Sequence, residues 1–293
     1  MGNTGKTGNT GTPDSSGNSA SSGHFHVGYA TNIGMKRQQN QDSVGSFPEN
    51  GLYIVADGMG GHRGGETASA MAVELIAETF QKNMKSSRAN PGIALTEAFR
   101  KASGQILKRS SNEENLKGMG TTATALYAPV HGQTSSVYIG HVGDSRCYLL
   151  QPRENIIWQI TRDHSLVQEK LRAGMINREQ AKTDRMKNVI TRSVGFDSAL
   201  QVDIYEYDCK PGDCFLLCSD GLSGLVEDAK ILEIISGYLM ENAAGTVKDS
   251  TPPSPSPLAI HEKLQAAVDR LIETANSNGG DDNITALLIQ RDG

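Results

Sequence analysis

Soft metal ligands are scarce in this sequence. Its 293 residues include four cysteines, Cys147, Cys209, Cys214 and Cys218, and no two of them share CxxC spacing. That argues against a structural zinc site and against a disulfide framework, and it predicts a reducing compartment. No apolar segment approaches the ~18 residues that a membrane span needs, and the opening has no apolar signal-peptide core. The chain is therefore expected in the cytoplasm. There is no excess of basic charge: 28 Lys and Arg stand against 33 Asp and Glu, for a formal net charge of -5 and a pI near 5.8. Such a balance disfavours nucleic acid and anionic membranes as partners. Gly5-Lys6-Thr7 lacks the first glycine of a phosphate-binding P-loop, and Lys6 stands where a myristoylation signal needs Ser or Thr.

What is present falls into one large unit with two low-complexity stretches. Residues 1–22 are almost wholly Gly, Asn, Thr and Ser, a composition that cannot bury enough apolar surface to offset chain entropy, so a disordered tail is expected. Residues 245–257 end in Thr251-Pro252-Pro253-Ser254-Pro255-Ser256-Pro257 and read as an exposed polyproline-like spacer. The remainder, 23–293, is read as a single domain. Helical periodicity appears four times: Ala68 to Phe80, Leu95 to Ile106, Ile231 to Tyr238 and Leu264 to Ile272. Short β-rich runs cover 52–56, 121–127, 136–141, 147–150, 156–160, 202–207, 214–218 and 284–289. Two helices, many strands and then helices again predict an α+β fold whose sheets are covered on their outer faces.

The chemistry lies in carboxylates set beside glycine or asparagine: Asn40-Gln41-Asp42, Asp57-Gly58, Gly143-Asp144, Ser219-Asp220-Gly221 and Gly280-Asp281-Asp282-Asn283. A single Asp-Gly is an ordinary turn dipeptide, but here strand-like apolar runs repeatedly end in Asp. Gathered together, these groups would repel one another unless cations neutralised them. Mg²⁺ or Mn²⁺ suits an all-oxygen site, and a pair of such ions lowers the pKa of water towards neutrality. Arg37, five positions before Asp42, offers a fork of donors for phosphate oxygens, although an arginine there could equally be a solvated surface charge.

Seven segments resemble the metal-dependent serine/threonine protein phosphatases of type 2C, in that family's order. They are Arg-x-x-Asn-Gln-Asp at 37–42, Asp-Gly-Met-Gly-Gly-His at 57–62, Gly-Met-Gly-Thr-Thr at 118–122 and Val-Gly-Asp-Ser-Arg at 142–146. Thr-Arg-Asp-His-Ser-Leu at 161–166, Ser-Asp-Gly at 219–221 and Gly-Gly-Asp-Asp-Asn-Ile-Thr at 279–285 complete the set. The resemblance implies a four-layer αββα sandwich, two central antiparallel β-sheets flanked by pairs of antiparallel helices. It also implies that Asp57 bridges two Mn²⁺ or Mg²⁺ ions, that the Gly58 carbonyl joins one, and that Asp220 and Asp282 ligate the other. Asp42 would act through water, Asp144 would help hold a looser third ion, and Arg37 would grip the substrate phosphate. The implied reaction is hydrolysis of phosphoserine and phosphothreonine in proteins by a hydroxide held between the ions. It would reverse a Ser/Thr kinase, without a phosphoenzyme and as a monomer.

Met59 occupies the position where some branches carry a histidine, which leaves His62 as the candidate general acid, or else as a brace for the glycine turn. Residues 164–192 resemble the family's flap, but Asp184-Arg185 replaces its usual His-Pro. That departure leaves substrate choice open. Two rival readings are a catalytically silent member acting as a binding module, and a phosphatase for small phosphate esters.

Overall fold

Leu52, Tyr53, Ile54 and Val55 are all completely buried. A strand so apolar needs cover on both faces of its sheet. In the computed structural model, which describes residues 25–61, 63–86, 89–129, 136–240 and 257–292, they begin β3 (Leu52–Met59). Side chains alternate along a strand. Leu52 and Ile54 accordingly pack with Ala72, Ile76, Leu95 and Phe99 of two helices, whereas Tyr53 and Val55 pack with Phe215, Leu217 and Leu287 of a second sheet. Leu216 and Leu288 of that sheet point the other way, onto Ile231, Leu264, Val268 and Leu271. The result is the four-layer αββα sandwich.

The first sheet runs β2 (Asp42–Phe47), β3, β5 (Ala123–Tyr127), β6 (Ser136–Val142), β9 (Asp203–Asp208), with the short β4 (Gly120–Thr121) pairing beyond β5 on β3. The second runs β1 (Phe25–Asn32), β11 (Ile284–Arg291), β10 (Cys214–Cys218), β7 (Arg146–Gln151), β8 (Ile156–Gln159), and all strand pairs are antiparallel. Helices α1 (Gly64–Asn83) and α2 (Pro91–Asn112) cover the first sheet; α6 (Asp228–Met240) and α7 (Pro257–Ser277) cover the second. The Asn90 side chain starts α2 by accepting from Ile93 N, with Pro91 in the first turn. No described helix is long and apolar enough to cross a membrane.

All four expected helices are present. The β-rich run 121–127 is divided, because Thr122 leaves the ladder between β4 and β5. Strands β1 and β2 were not expected from the sequence, and their glycines explain why. A Cβ on Gly28 would lie 2.7 Å from the backbone of Leu264 and Gln265, so glycine there lets α7 settle on β1. Gly45 similarly faces Val73 of α1, where a Cβ would meet Cγ1 at 2.6 Å. The flap contains α3 (Leu166–Arg172) and α4 (Arg178–Thr183). Leu166 N donating to Val189 O at 2.8 Å ties its two ends together. Asp184, at the position that departs from the family, accepts from Lys170 Nζ at 2.8 Å and from Met186 N at 2.8 Å. His62, the tail 1–22 and residues 245–256 of the proline-rich stretch lie outside the described residues.

Candidate active site

One end of the sandwich gathers the carboxylates. Asp57, near the end of β3, stands opposite Asp42, the first residue of β2. Asp220 follows β10 and opens the short helix α5 (Asp220–Ser223), and Asp282 lies two residues before β11, the neighbour of β10. Asp144 sits in the turn between β6 and β7, two residues past the last residue of β6 rather than on the strand itself. Gly143 makes that turn with φ +112°, a left-handed conformation suited to glycine.

The backbone around each carboxylate is held by hydroxyls and amides. Asp57 N donates to Thr122 Oγ1 at 2.9 Å, while Thr122 N and Thr121 Oγ1 both donate to Asp57 O at 2.8 Å. This gives the Gly-Thr-Thr segment a structural task. Asp42 Oδ2 accepts from Ser219 Oγ at 2.8 Å and from Thr285 Oγ1 at 2.7 Å, which joins β2 to the end of β10 and to β11 of the other sheet. Asn283 accepts from Gln41 N at 2.8 Å and donates to Ile33 O and Gln39 O at 3.0 and 2.9 Å, fastening the loop that carries Arg37. Gly58 is enclosed: a Cβ there would stand 2.1 Å from Gly65 O and 2.6 Å from Gln41 O.

Burial acts against charge throughout the cluster. It raises Asp42 from 3.8 to about 7, a rise that the Thr285 and Ser219 hydroxyls oppose. It raises Asp144 to about 7, with the charge of Asp220 adding to it. Asp57 lies well above the usual carboxylate range, through burial first and then the charges of Asp42, Asp220, Asp144 and Asp282. Asp220 is raised by burial and by Asp282. Three oxygens in this cluster, Oδ1 of Asp42, of Asp144 and of Asp220, are buried without a hydrogen-bond partner. Such acceptors are costly to leave unmet, and a hard cation meets them. Among the described residues no three His, Cys, Asp or Glu side chains already gather on one point. An ion here would draw these carboxylates together, with carbonyl and water oxygens completing its shell. The donor set fits Mg²⁺ or Mn²⁺.

Arg37, expected at the phosphate, lies at this site: its Nη2 donates to Asp282 Oδ2 at 2.6 Å. Lys36 makes a parallel ion pair with Asp281 at 2.6 Å. The sequence reading assigned no role to Ser219, Thr285 or Asn283, although all three lie inside or beside matched motifs. It also missed His164. This residue accepts from Gly143 N through Nδ1 at 3.0 Å and faces Asp203 Oδ2 through Nε2 at 3.2 Å, and its backbone bonds Gly143 O and Thr191 N. It therefore joins the Asp144 turn to both ends of the flap.

Fold and cluster together define a class: an αββα sandwich equipped to hold hard divalent cations where its two sheets end. The chain belongs to the protein phosphatase 2C family, whose model matches residues 35–250. It is 37% identical over 271 residues to the serine/threonine phosphatase stp of Listeria monocytogenes, covering 91% of this chain and 96% of that protein. The crystal structure of the Mycobacterium tuberculosis serine/threonine phosphatase PstP/Ppp superposes with a TM-score of 0.75 at 29% identity, covering 92% of this chain and all of that one. A structure of the PstP catalytic domain in complex with two manganese ions gives a TM-score of 0.73 at 29% identity, covering 92% and 99% of the two chains.

Proposed function

We propose that this chain hydrolyses phosphoserine and phosphothreonine in proteins with the aid of divalent metal ions held by its carboxylate cluster. Family membership and the named phosphatases it resembles support that activity. The structural observation that carries it is the set of buried, partnerless oxygens on Asp42, Asp144 and Asp220 around Asp57.

Asp57 and the Gly58 carbonyl are assigned to a pair of ions, Asp220 and Asp282 to one of them, Asp42 to water in the coordination shell, and Asp144 to a weaker third. Two ions follow the manganese-bound PstP structure, and oxygen donors accept either Mn²⁺ or Mg²⁺. When bound, the ions supply charge neutralisation and water of lowered pKa. The chain's own residues do the rest. Arg37 lies against Asp282 with half its side chain exposed, so its remaining donors are open to phosphate oxygens. His62 is assigned the proton for the leaving seryl or threonyl oxygen. No thiol competes as nucleophile: Cys147, Cys209, Cys214 and Cys218 are buried, and burial pushes every thiol up, Cys218 to about 12.

The partners that follow are phosphoproteins modified by a Ser/Thr kinase, met by a monomeric, cytoplasmic enzyme that binds neither nucleic acid nor membrane. The silent-module alternative would expect a missing metal carboxylate, and the sequence carries all five candidates, Asp42, Asp57, Asp144, Asp220 and Asp282. Phosphate release from a phosphothreonine peptide tests the reading. Turnover with Mn²⁺ that disappears in EDTA and in Asp57→Asn is expected, and full turnover in EDTA would defeat it.

A further inference from the structure

A cavity of about 420 Å³ opens beside the carboxylate cluster, on the flap side. Met59, Ile190, Phe196 and Leu200 supply its apolar lining. Met59 is two residues beyond Asp57 on β3 and pairs with Gly120; the next residue, Thr121, exchanges backbone hydrogen bonds of 2.9 and 2.8 Å with Val194. A continuous backbone ladder therefore runs from Asp57 to the cavity. Two strand residues span about 7 Å, and an extended peptide covers that in about two residues.

The cavity is preformed. Gly195 takes φ +109° and donates to Ser103 Oγ at 2.9 Å; that hydroxyl donates to Asp197 O at 2.5 Å, and Arg100 Nε donates to Leu200 O at 3.0 Å. Helix α2 thus holds the 195–200 loop at three points. Phe196 is 54% exposed, yet its ring is wedged against Gly120, where a Cβ would come within 2.3 Å of it. A large aromatic ring kept partly in solvent and fixed from behind forms a wall for something else to pack on. Arg192, the cation at the rim, is already engaged by Asp203 at 2.7 Å, so it offers little to select an acidic residue.

We propose that this cavity is a substrate subsite that takes an apolar side chain two or three positions from the phosphorylated residue. The proposal rests on the phosphatase reading and adds to it a sequence preference in the phosphoprotein.

The test is a set of phosphothreonine peptides carrying Leu or Asp at each nearby position in turn, assayed with Mn²⁺ on the wild type, Phe196→Ala and Phe196→Asp. p-Nitrophenyl phosphate, too small to reach the cavity, is assayed alongside. At one position Leu should exceed Asp by about tenfold in kcat/KM, the discrimination expected of an apolar pocket. Both variants should reduce that ratio to about threefold or less, Phe196→Asp more strongly. Hydrolysis of p-nitrophenyl phosphate with no Leu preference anywhere, or with a preference that both variants leave untouched, would overturn the subsite and spare the phosphatase reading. Absence of metal-dependent turnover on every substrate would overturn both.

Discussion

Metal loading should stabilise this protein more as the pH rises. In the metal-free fold, Asp42 and Asp144 titrate near about 7 instead of 3.8, because burial disfavours their charge. The folded state therefore holds protons that the unfolded chain has released, and the metal-free protein loses stability as pH climbs from about 4 through about 7. His141 opposes this: burial and the neighbouring His164 push it down to about 4, which costs stability below its unfolded value near 6.5. The gain from Mn²⁺, measured against EDTA at each pH, cancels the His141 contribution and isolates the carboxylates. Each proton displaced by the metal makes that gain grow by ~1.4 kcal/mol per pH unit below the folded pKa. From about pH 5.5 to about pH 7.5, one displaced proton gives ~1.9 kcal/mol, most of it gained below about pH 7, or about 4 °C in Tm for a chain of this size. Melting curves followed by far-UV circular dichroism at one fixed Mn²⁺ concentration would read it directly. A gain that stays constant or shrinks as pH rises would refute the claim that these buried carboxylates hold the metal.

Other substitutions separate the parts of the site. Gly58→Ala should abolish turnover and cost about 1–3 kcal/mol in urea unfolding, because its Cβ would meet Gly65 O at 2.1 Å; unchanged activity would contradict the carbonyl's assigned place. Arg37→Ala should leave stability within ~1 kcal/mol, since its pair with Asp282 is half exposed, while lowering kcat/KM on phosphopeptides at least about tenfold. An equal loss on peptides and in melting temperature would make Arg37 a structural residue. The buried thiols should resist a disulfide reagent in the native enzyme and react on unfolding, with activity surviving the treatment; rapid native labelling with loss of turnover would point to a reactive cysteine.

Periodicity and motif together carried most of the architecture. The apolar stripes of α1, α2, α6 and α7 face sheets as their spacing requires, and Leu52 to Ala56 and Cys214 to Cys218 are the buried strands that their composition predicts. Strands β1 and β2 escaped because Gly28 and Gly45, which read locally as breakers, are the positions where helices press on the sheet. The carboxylates were legible from their repeated glycine context. The hydroxyls that orient them were not: Ser219 and Thr285 reach Asp42 across 177 and 243 positions of sequence, and only the facing sheets bring them together. Asp184, legible only as a departure from the family, acts inside the flap as the partner of Lys170. Phe196 and Leu200 carried no signal, since a wall and a floor for a substrate side chain exist only once α2 has fixed their loop.

The most direct measurement is electron paramagnetic resonance of the Mn²⁺-loaded enzyme, paired with turnover on a phosphothreonine peptide. If Asp57 joins two ions at the end of β3, the wild type will show a spin-coupled Mn²⁺ pair. Asp57→Asn will then lose both the coupling and the activity while keeping its fold. An Asp57→Asn enzyme that retains the coupled pair and hydrolyses the peptide at the wild-type rate would contradict that assignment.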